Sequence, residues 1–144
     1  MQNLIELGND CLKHNKILAK LSVPKLEYVD DWFLYNNEEL TELNLPSIIK
    51  IGNNFLRNNK KLARINLPNL VEAGESFLSS NQALLELIIP NLIKIGNNFL
   101  SSNEILENLV LPKLEKAGSW FLEKNKGLIN IELPKLPKLK EKFV

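Results

Sequence analysis

One cysteine and one histidine stand close together near the start of the chain, and these two residue types are the best suited to nucleophilic chemistry. The protein has a single cysteine, Cys11, and a single histidine, His14. A thiol beside an imidazole can act as nucleophile and base when a third group orients the imidazole. The sequence offers no such third group, and two ligands cannot complete a closed zinc site. We therefore predict no catalytic residue, no cofactor and no bound metal, and we interpret the chain as non-enzymatic.

The elements that must position these side chains follow from the spacing of the prolines. Proline stands at 24, 46, 68, 90, 112 and 134, which is a constant period of 22 residues. A fixed period of this length predicts a solenoid of stacked supersecondary units. Gln2 takes the proline's place in the first repeat, so that the whole chain, residues 1–144, is predicted to form one domain of about six repeats.

Each offset from the proline has a predictable structural role. The segment L-x-x-L-x-L before the proline alternates buried and variable residues, which is typical of a short strand, and strands one repeat apart must be parallel. The Phe-Leu pair at offsets +9 and +10 is expected on a helical or 3₁₀ turn. The glycine at +6 is expected to need a positive φ or close backbone packing. Asparagine occupies offset +13 in every repeat, at 15, 37, 59, 81, 103 and 125. An amide both donates and accepts, so we predict a structural asparagine ladder.

This unit resembles a leucine-rich repeat, and more narrowly the BspA-like class. The pattern is clearest in residues 84–90, followed by Leu92, Ile95-Gly96 and Phe99-Leu100. It departs from the class by being one residue shorter between proline and glycine, and by carrying asparagine where cysteine is usual. The resemblance implies an α/β leucine-rich-repeat solenoid with a parallel concave sheet and helical or 3₁₀ turns on the convex side. It also implies a use in protein binding.

Composition argues against several partners. The net charge is +1 and the apolar fraction is 44%, so the chain has no bulk attraction for nucleic acid or for a membrane surface. The lysines near the C-terminus, Lys135, Lys138, Lys140 and Lys142, are interpreted as a solvated end. The start of the chain lacks a secretory signal. We therefore expect a cytoplasmic protein, or one exported without a cleavable signal peptide.

The second repeat breaks the pattern with large aromatic side chains. Tyr28, Trp32 and Tyr35 stand at offsets that are polar or charged in most repeats, and six acidic residues lie between positions 27 and 42. Trp120 repeats the anomaly at offset +8 of the sixth repeat. Aromatic anchors inside a polar rim are typical of an interface hot spot. The alternative is that these rings cover a turn weakened by Asp30, which replaces the glycine, or that they shield the N-terminal end of the repeats.

The second candidate surface is the outward side of the predicted concave sheet. Ile88 and Val110 are expected side by side at offset +20, with Leu85 and Ile129 near them. Offset +18 alternates in sign over its first four repeats, which predicts a cross-strand charge ladder.

Together these features predict a non-enzymatic module that occupies the surface of another protein, as an adaptor, an effector or a small inhibitor. The predicted partner-binding residues are Tyr28, Trp32, Tyr35, Leu85, Ile88, Val110 and Trp120. The alternative is a structural protein that self-associates, for example as a homodimer, through uncapped solenoid ends. Nucleic-acid binding is disfavoured, since the chain has only two arginines, Arg57 and Arg64.

Overall fold

The computed structural model describes residues 2–137, which wind into six coils of 22 residues. We number the coils from residue 2, so that coil 1 covers 2–23 and coils 2 to 6 each begin at a proline. The predictions for Leu139, Phe143, Lys138, Lys140 and Lys142 lie outside the described residues. Eleven strands of two or three residues follow in chain order: β1 Glu6–Leu7, β2 Lys20–Ser22, β3 Tyr28–Val29, β4 Glu42–Asn44, β5 Lys50–Ile51, β6 Arg64–Asn66, β7 Glu72–Ala73, β8 Glu86–Ile88, β9 Lys94–Ile95, β10 Asn108–Val110 and β11 Asn130–Glu132.

The strands before each proline form the predicted parallel pairs, but they do not form one sheet. β2 pairs with β4, β6 with β8, and β10 with β11, all in parallel. Among the described residues, no strand pairing joins β4 to β6 or β8 to β10. We call this set the split sheet. The direction and register of these strands agree with the predicted parallel sheet, which is interrupted between β4 and β6 and between β8 and β10.

A second parallel sheet, which the sequence reasoning did not predict, is the continuous one. Its five strands lie in the order β1-β3-β5-β7-β9, and each contributes the residues at offsets +4 and +5. The inward residues at +5, such as Val29, Ile51 and Ile95, are buried. The outward residues at +4 are mostly charged. We call this the continuous sheet.

The turn that carries the Phe-Leu pair is neither α-helical nor 3₁₀. The predicted α/β class and helical turns were therefore wrong for the described residues, which form an all-β coil. Residues at offsets +8, +10 and +12 have positive φ in every coil, as in Trp32 at 66°, Leu34 at 56° and Asn36 at 56°. Alternation of left-handed residues prevents the run of right-handed dihedrals that a helix needs. Hydrogen bonds to neighbouring coils hold this shape: the Trp32 N–H donates to the Asn53 carbonyl at 2.8 Å, and the Leu34 N–H donates to the Cys11 carbonyl at 3.1 Å. We call this side the turn face.

The core is a stack of repeated positions. The five phenylalanines at offset +9 within the described residues are fully buried, and neighbouring rings lie 5.5–5.9 Å apart. Cys11 takes the same offset in coil 1 but is only half-buried, because coil 1 has a neighbour on one side in the described structure. No helix in residues 2–137 is long and apolar enough to cross a membrane.

The asparagine ladder is confirmed, and it serves the left-handed turn. In coil 4 the Asn81 Nδ2 donates to the Leu56 carbonyl of the preceding coil at 2.9 Å. Its Oδ1 accepts from the Asn59 N–H at 3.1 Å. Equivalent amide donations come from Asn37, Asn59, Asn103 and Asn125. Because Leu56 is itself a left-handed residue, the ladder ties each strained turn to the coil that follows.

The glycines at offset +6 serve close packing and not an unusual φ. No glycine has a positive φ, so that half of the expectation was wrong. A Cβ on Gly74 would lie 2.7 Å from the backbone carbon of Gly52. The coils therefore approach too closely at this offset for a side chain in coils 3 to 6.

Candidate functional site

The seven predicted partner-binding residues lie on three different faces of the solenoid. Leu85, Ile88 and Val110 are on the outside of the split sheet, in or beside β8 and β10. Tyr28 belongs to β3 of the continuous sheet. Trp32, Tyr35 and Trp120 are on the turn face, at offsets +8 and +11. The structure therefore does not bring these residues together into one site.

The exposed aliphatic residues of the split sheet form the most apolar of these surfaces. Leu85 is 60% exposed, Ile88 43%, Val110 45% and Ile129 82%. Ile88 and Val110 occupy the same outward offset of successive coils, and Leu85 and Ile129 share offset +17. We call these four residues the aliphatic patch. The exposure of large apolar side chains on neighbouring coils is what marks an interaction surface, in contrast to scattered single residues.

The charges around the aliphatic patch are partly paired. Arg64 in β6 forms an ion pair with Glu86 in β8 at 3.4 Å, and Lys20 pairs with Glu42 at 2.6 Å on β2 and β4. The predicted charge ladder therefore exists as two separate ion pairs, and no pair crosses the break between β4 and β6. Glu107 is exposed between Leu85 and Ile129 at the same offset. One carboxylate therefore separates the two residues of the patch that share offset +17.

A shallow groove of about 760 Å³ adjoins the patch at the break in the split sheet. It is lined by β2, β4 and β6, with Leu43 at its base. Leu43 is half-buried, whereas Leu21, Ile65 and Leu109 at the equivalent offset are buried. The sequence did not predict the groove, because Leu43 has the same residue type and offset as its buried counterparts.

The aromatic residues of coil 2 pack against coil 1 and do not stand free in solvent. Trp32 and Tyr35 are both half-buried, with their rings edge to face at 5.1 Å. The Lys13 ammonium lies 4.7 Å from the Trp32 ring centre, and the His14 ring meets Tyr35 at 5.2 Å. This geometry agrees with the interpretation that these rings cover the coil 1 boundary. It gives less support to a hot spot on this side.

Three of the six acidic residues between positions 27 and 42 form ion pairs with lysines of neighbouring coils. Lys60 pairs with Glu38 at 3.3 Å, and Lys61 pairs with Glu39 at 2.7 Å. Glu42 pairs with Lys20, as described above. The carboxylate of Asp31 accepts the backbone N–H of Asn53 at 2.7 Å. The folded chain therefore balances half of this acidic charge, and the sequence pattern did not show it because each lysine stands 22 residues from its partner.

The continuous sheet carries a row of opposite charges at offset +4. Glu72 lies between Lys94 at 2.8 Å and Lys50 at 3.3 Å. The hydrogen bond from Lys94, followed by that from Lys50, lowers the pKa of Glu72 below its ordinary value of 4.5. Tyr28 stands at the same offset in coil 2 and is 40% exposed, in register with Lys50. This face is charged and flat, and it shows no catalytic pairing.

The Cys11 and His14 side chains do not meet a third reactive group. His14 is exposed, and its Nδ1 is 3.0 Å from the Asn36 amide nitrogen. Cys11 is half-buried at the core offset. Among residues 2–137, no three His, Cys, Asp or Glu side chains are grouped so that they could hold a metal ion.

Comparison with known proteins identifies the family to which this chain belongs. The chain matches the family described as BspA type Leucine rich repeat region, in six copies, over residues 1–107 and 74–142. No curated protein and no solved structure matches it with significant similarity. The match covers nearly the whole chain, and its six copies agree with the six coils. Leucine-rich repeats of this kind generally mediate protein–protein interactions and are typically non-catalytic scaffolds. This protein belongs to the BspA-type leucine-rich repeat family.

Proposed function

We propose that the protein is a binding module that docks a partner protein on the aliphatic patch of Leu85, Ile88, Val110 and Ile129. The observation that carries the proposal is the exposure of these four side chains on one side of coils 4 to 6. At the equivalent offset +20, coils 2 and 3 carry Asn44 and Asn66, so the fold does not require an apolar residue there. Surface that the fold leaves free is available for recognition.

The contribution of Ile88 and Val110 to the affinity for a partner follows from the exposed fraction of each side chain. Burying a whole aliphatic side chain contributes about 1.5–3 kcal/mol. Ile88 and Val110 have 43% and 45% of their surface exposed. Covering both would then contribute about 1.3–2.7 kcal/mol, which corresponds to about a 10-fold to 100-fold change in affinity.

The test uses residues that the chain itself places at offset +20. The double variant Ile88→Asn, Val110→Asn copies coils 2 and 3 and should fold normally, with a stability change within about 0.5 kcal/mol. Wild-type and variant proteins are used in parallel to capture partners from a native lysate, and the affinity for each identified protein is then measured with purified components. We expect a partner whose affinity falls by about 10-fold to 100-fold in the double variant.

Tyr28→Ala is the matched control, since Tyr28 is exposed on the continuous sheet. It should leave the affinity unchanged. Partners that bind the wild type and the double variant equally well would show that the patch is not the docking surface. The alternative function, self-association through the ends of the coil stack, is measured by light scattering of the same samples. A monomer mass at every concentration contradicts it.

A further inference from the structure

The turn face carries both tryptophans of the protein at one offset. The chain has two tryptophans, Trp32 and Trp120, and each stands at offset +8 of its coil. The four coil steps between them span about 19 Å, if neighbouring coils are about 4.8 Å apart. Trp120 is 57% exposed, and Trp32 is half-buried beneath Lys13. The two rings therefore bracket one side of coils 2 to 6.

The backbone at this offset disfavours tryptophan. Trp32 has a φ of 66° and Trp120 a φ of 53°. Asparagine is enriched in this left-handed region, whereas a bulky residue there is an outlier. Coils 3 and 5 carry the favoured residue, as Asn54 and Asn98. Because a positive φ recurs at this offset in every coil, the conformation itself belongs to the fold. What distinguishes Trp120 is its residue type, since a large ring that is 57% exposed contributes little packing to the coil.

Between the two rings, the turn face presents uncharged hydrogen-bonding groups. Offsets +8 and +12 of coils 3 to 5 carry only asparagine and serine: Asn54, Ser76, Asn98, Asn58, Ser80 and Ser102. All six have positive φ and partly exposed side chains. The hydroxyls of Ser76, Ser80 and Ser102 form no hydrogen bond within residues 2–137, so they are free to bind a ligand. Arg57 lies beside this row and donates to the Asn54 Oδ1 at 3.2 Å.

Hydrogen bonds between coils hold this row in place. The Ser76 N–H donates to the Asn97 carbonyl at 2.8 Å, and the Ser80 N–H donates to the Ser101 carbonyl at 2.8 Å. The same two bonds recur at offsets +8 and +12 of coils 2, 3 and 5. A ligand would therefore meet groups that are already ordered, which lowers the entropic cost of binding.

We propose that the turn face binds a neutral, linear polysaccharide, with the exposed Trp120 ring stacking on a sugar ring toward one end of the site. Trp32 stacks on a sugar ring toward the other end once the Lys13 side chain, 4.7 Å from its ring centre, moves aside. Tryptophan offers a large apolar face that can cover the C–H side of a sugar ring. Serine and asparagine both donate and accept, as sugar hydroxyls require. A polymer of linked rings can place one unit after another along the regular coils. The uncharged row matches a neutral ligand, whereas a nucleic acid would need a cationic groove.

The experiment uses single-tryptophan variants that copy the chain's own pattern. Trp32→Asn leaves Trp120 as the fluorophore, Trp120→Asn leaves Trp32, and asparagine is the residue of coils 3 and 5 at this offset. Purified protein is run by affinity electrophoresis in gels containing a soluble β-glucan, an α-glucan, a galactomannan or an anionic polygalacturonate. Chitin oligosaccharides of two and six units are titrated while tryptophan emission is recorded.

We expect retardation by at least one neutral polymer, or a change of emission with the chitin hexamer in both single-tryptophan variants. Each substitution should weaken binding by about 2-fold to 12-fold. Tyr28→Ala is the matched control, because it removes an exposed aromatic ring from another face and should not change binding. Failure of every neutral ligand, binding to polygalacturonate alone, or undiminished binding by the Trp32→Asn, Trp120→Asn double variant would overturn the proposal. The Ile88→Asn, Val110→Asn variant should bind the polysaccharide normally, so that this site and the aliphatic patch are tested separately.

Discussion

Replacement of Gly74 by alanine tests how closely the coils pack at offset +6. The added Cβ would lie 2.5 Å from the Asn53 Oδ1, 2.7 Å from the Gly52 carbon and 2.8 Å from the Asn53 nitrogen. Two of these three atoms belong to the backbone, and the Asn53 Oδ1 is held by the Glu75 N–H at 2.8 Å. All three atoms belong to coil 3, and a side-chain rotation cannot move the two backbone atoms, so coils 3 and 4 must move apart.

The expected free-energy change combines two terms. Overpacking of a well-packed interior costs about 1–3 kcal/mol. Alanine also restricts the unfolded chain and stabilises the protein by about 0.4–1 kcal/mol, because the backbone of Gly74 does not need a positive φ. The free energy of unfolding should therefore fall by about 2 kcal/mol. This value is near the upper end of the expected range because two of the three contacts are with backbone atoms. With a urea dependence of about 2 kcal/mol per molar, the unfolding midpoint falls by about 1 M.

Gly8→Ala is the matched control in the same series. Gly8 occupies offset +6 of coil 1, where a Cβ would have no atom within 4 Å. This variant should be unchanged or stabilised by up to about 1 kcal/mol. Both variants are followed by far-ultraviolet circular dichroism in urea. The packing argument fails if Gly74→Ala unfolds at the wild-type midpoint, or if Gly8→Ala is destabilised to the same extent.

Two further predictions concern polar groups. Asn81→Ala removes, at a fully buried position, the donor to the Leu56 carbonyl and the acceptor of the Asn59 N–H. The free energy of unfolding, measured by urea titration, should therefore fall by at least about 2 kcal/mol. Gln82→Ala, at the exposed position that follows Asn81 in coil 4, serves as its control, and equal losses in the two variants would contradict the ladder. Glu72→Gln removes a carboxylate whose pKa is lowered by Lys94 and Lys50, so its stabilisation is present above pH 4.5 and is lost as the pH falls through the lower folded value. The stability difference between wild type and Glu72→Gln should therefore be larger at pH 7 than at pH 3 and smaller in high salt, and a difference independent of pH would contradict it.

The period of 22 residues was sufficient to predict the parts of the fold that depend on side-chain type. It located the strands before each proline, the buried phenylalanine stack and the asparagine ladder. It also assigned Ile88 and Val110 to the same outward offset of successive coils, and both side chains are exposed. These features repeat in the sequence because each coil must bury the same positions against the next coil.

The continuous sheet and the left-handed turn could not be predicted from the period of 22 residues. The five-stranded sheet consists of strands of two residues, too short to show an alternating pattern. The turn has positive φ at Leu34, Leu56 and Leu78, where leucine gives no sign of a left-handed conformation. Hydrogen bonds between coils stabilise both features, and these bonds involve backbone groups that every residue shares.

The assignment of candidate residues to faces also required the structure. Tyr28, Trp32 and Tyr35 are close in sequence, yet Tyr28 lies on the continuous sheet while the other two lie on the turn face. Glu38 and Glu39 of the acidic run form ion pairs with Lys60 and Lys61, which are one period away.

What the sequence determined by itself about this protein is therefore the repeat, its inward residues, and the scarcity of groups suited to catalysis. Only the tertiary structure decided which offsets share a face, where the split sheet opens, and which side chains remain in solvent. The physical reason is that a periodic pattern states which residues are equivalent from coil to coil. The direction in which each side chain points depends on backbone dihedrals and on hydrogen bonds between coils, and many of these bonds join backbone groups that the pattern of residue types does not reveal.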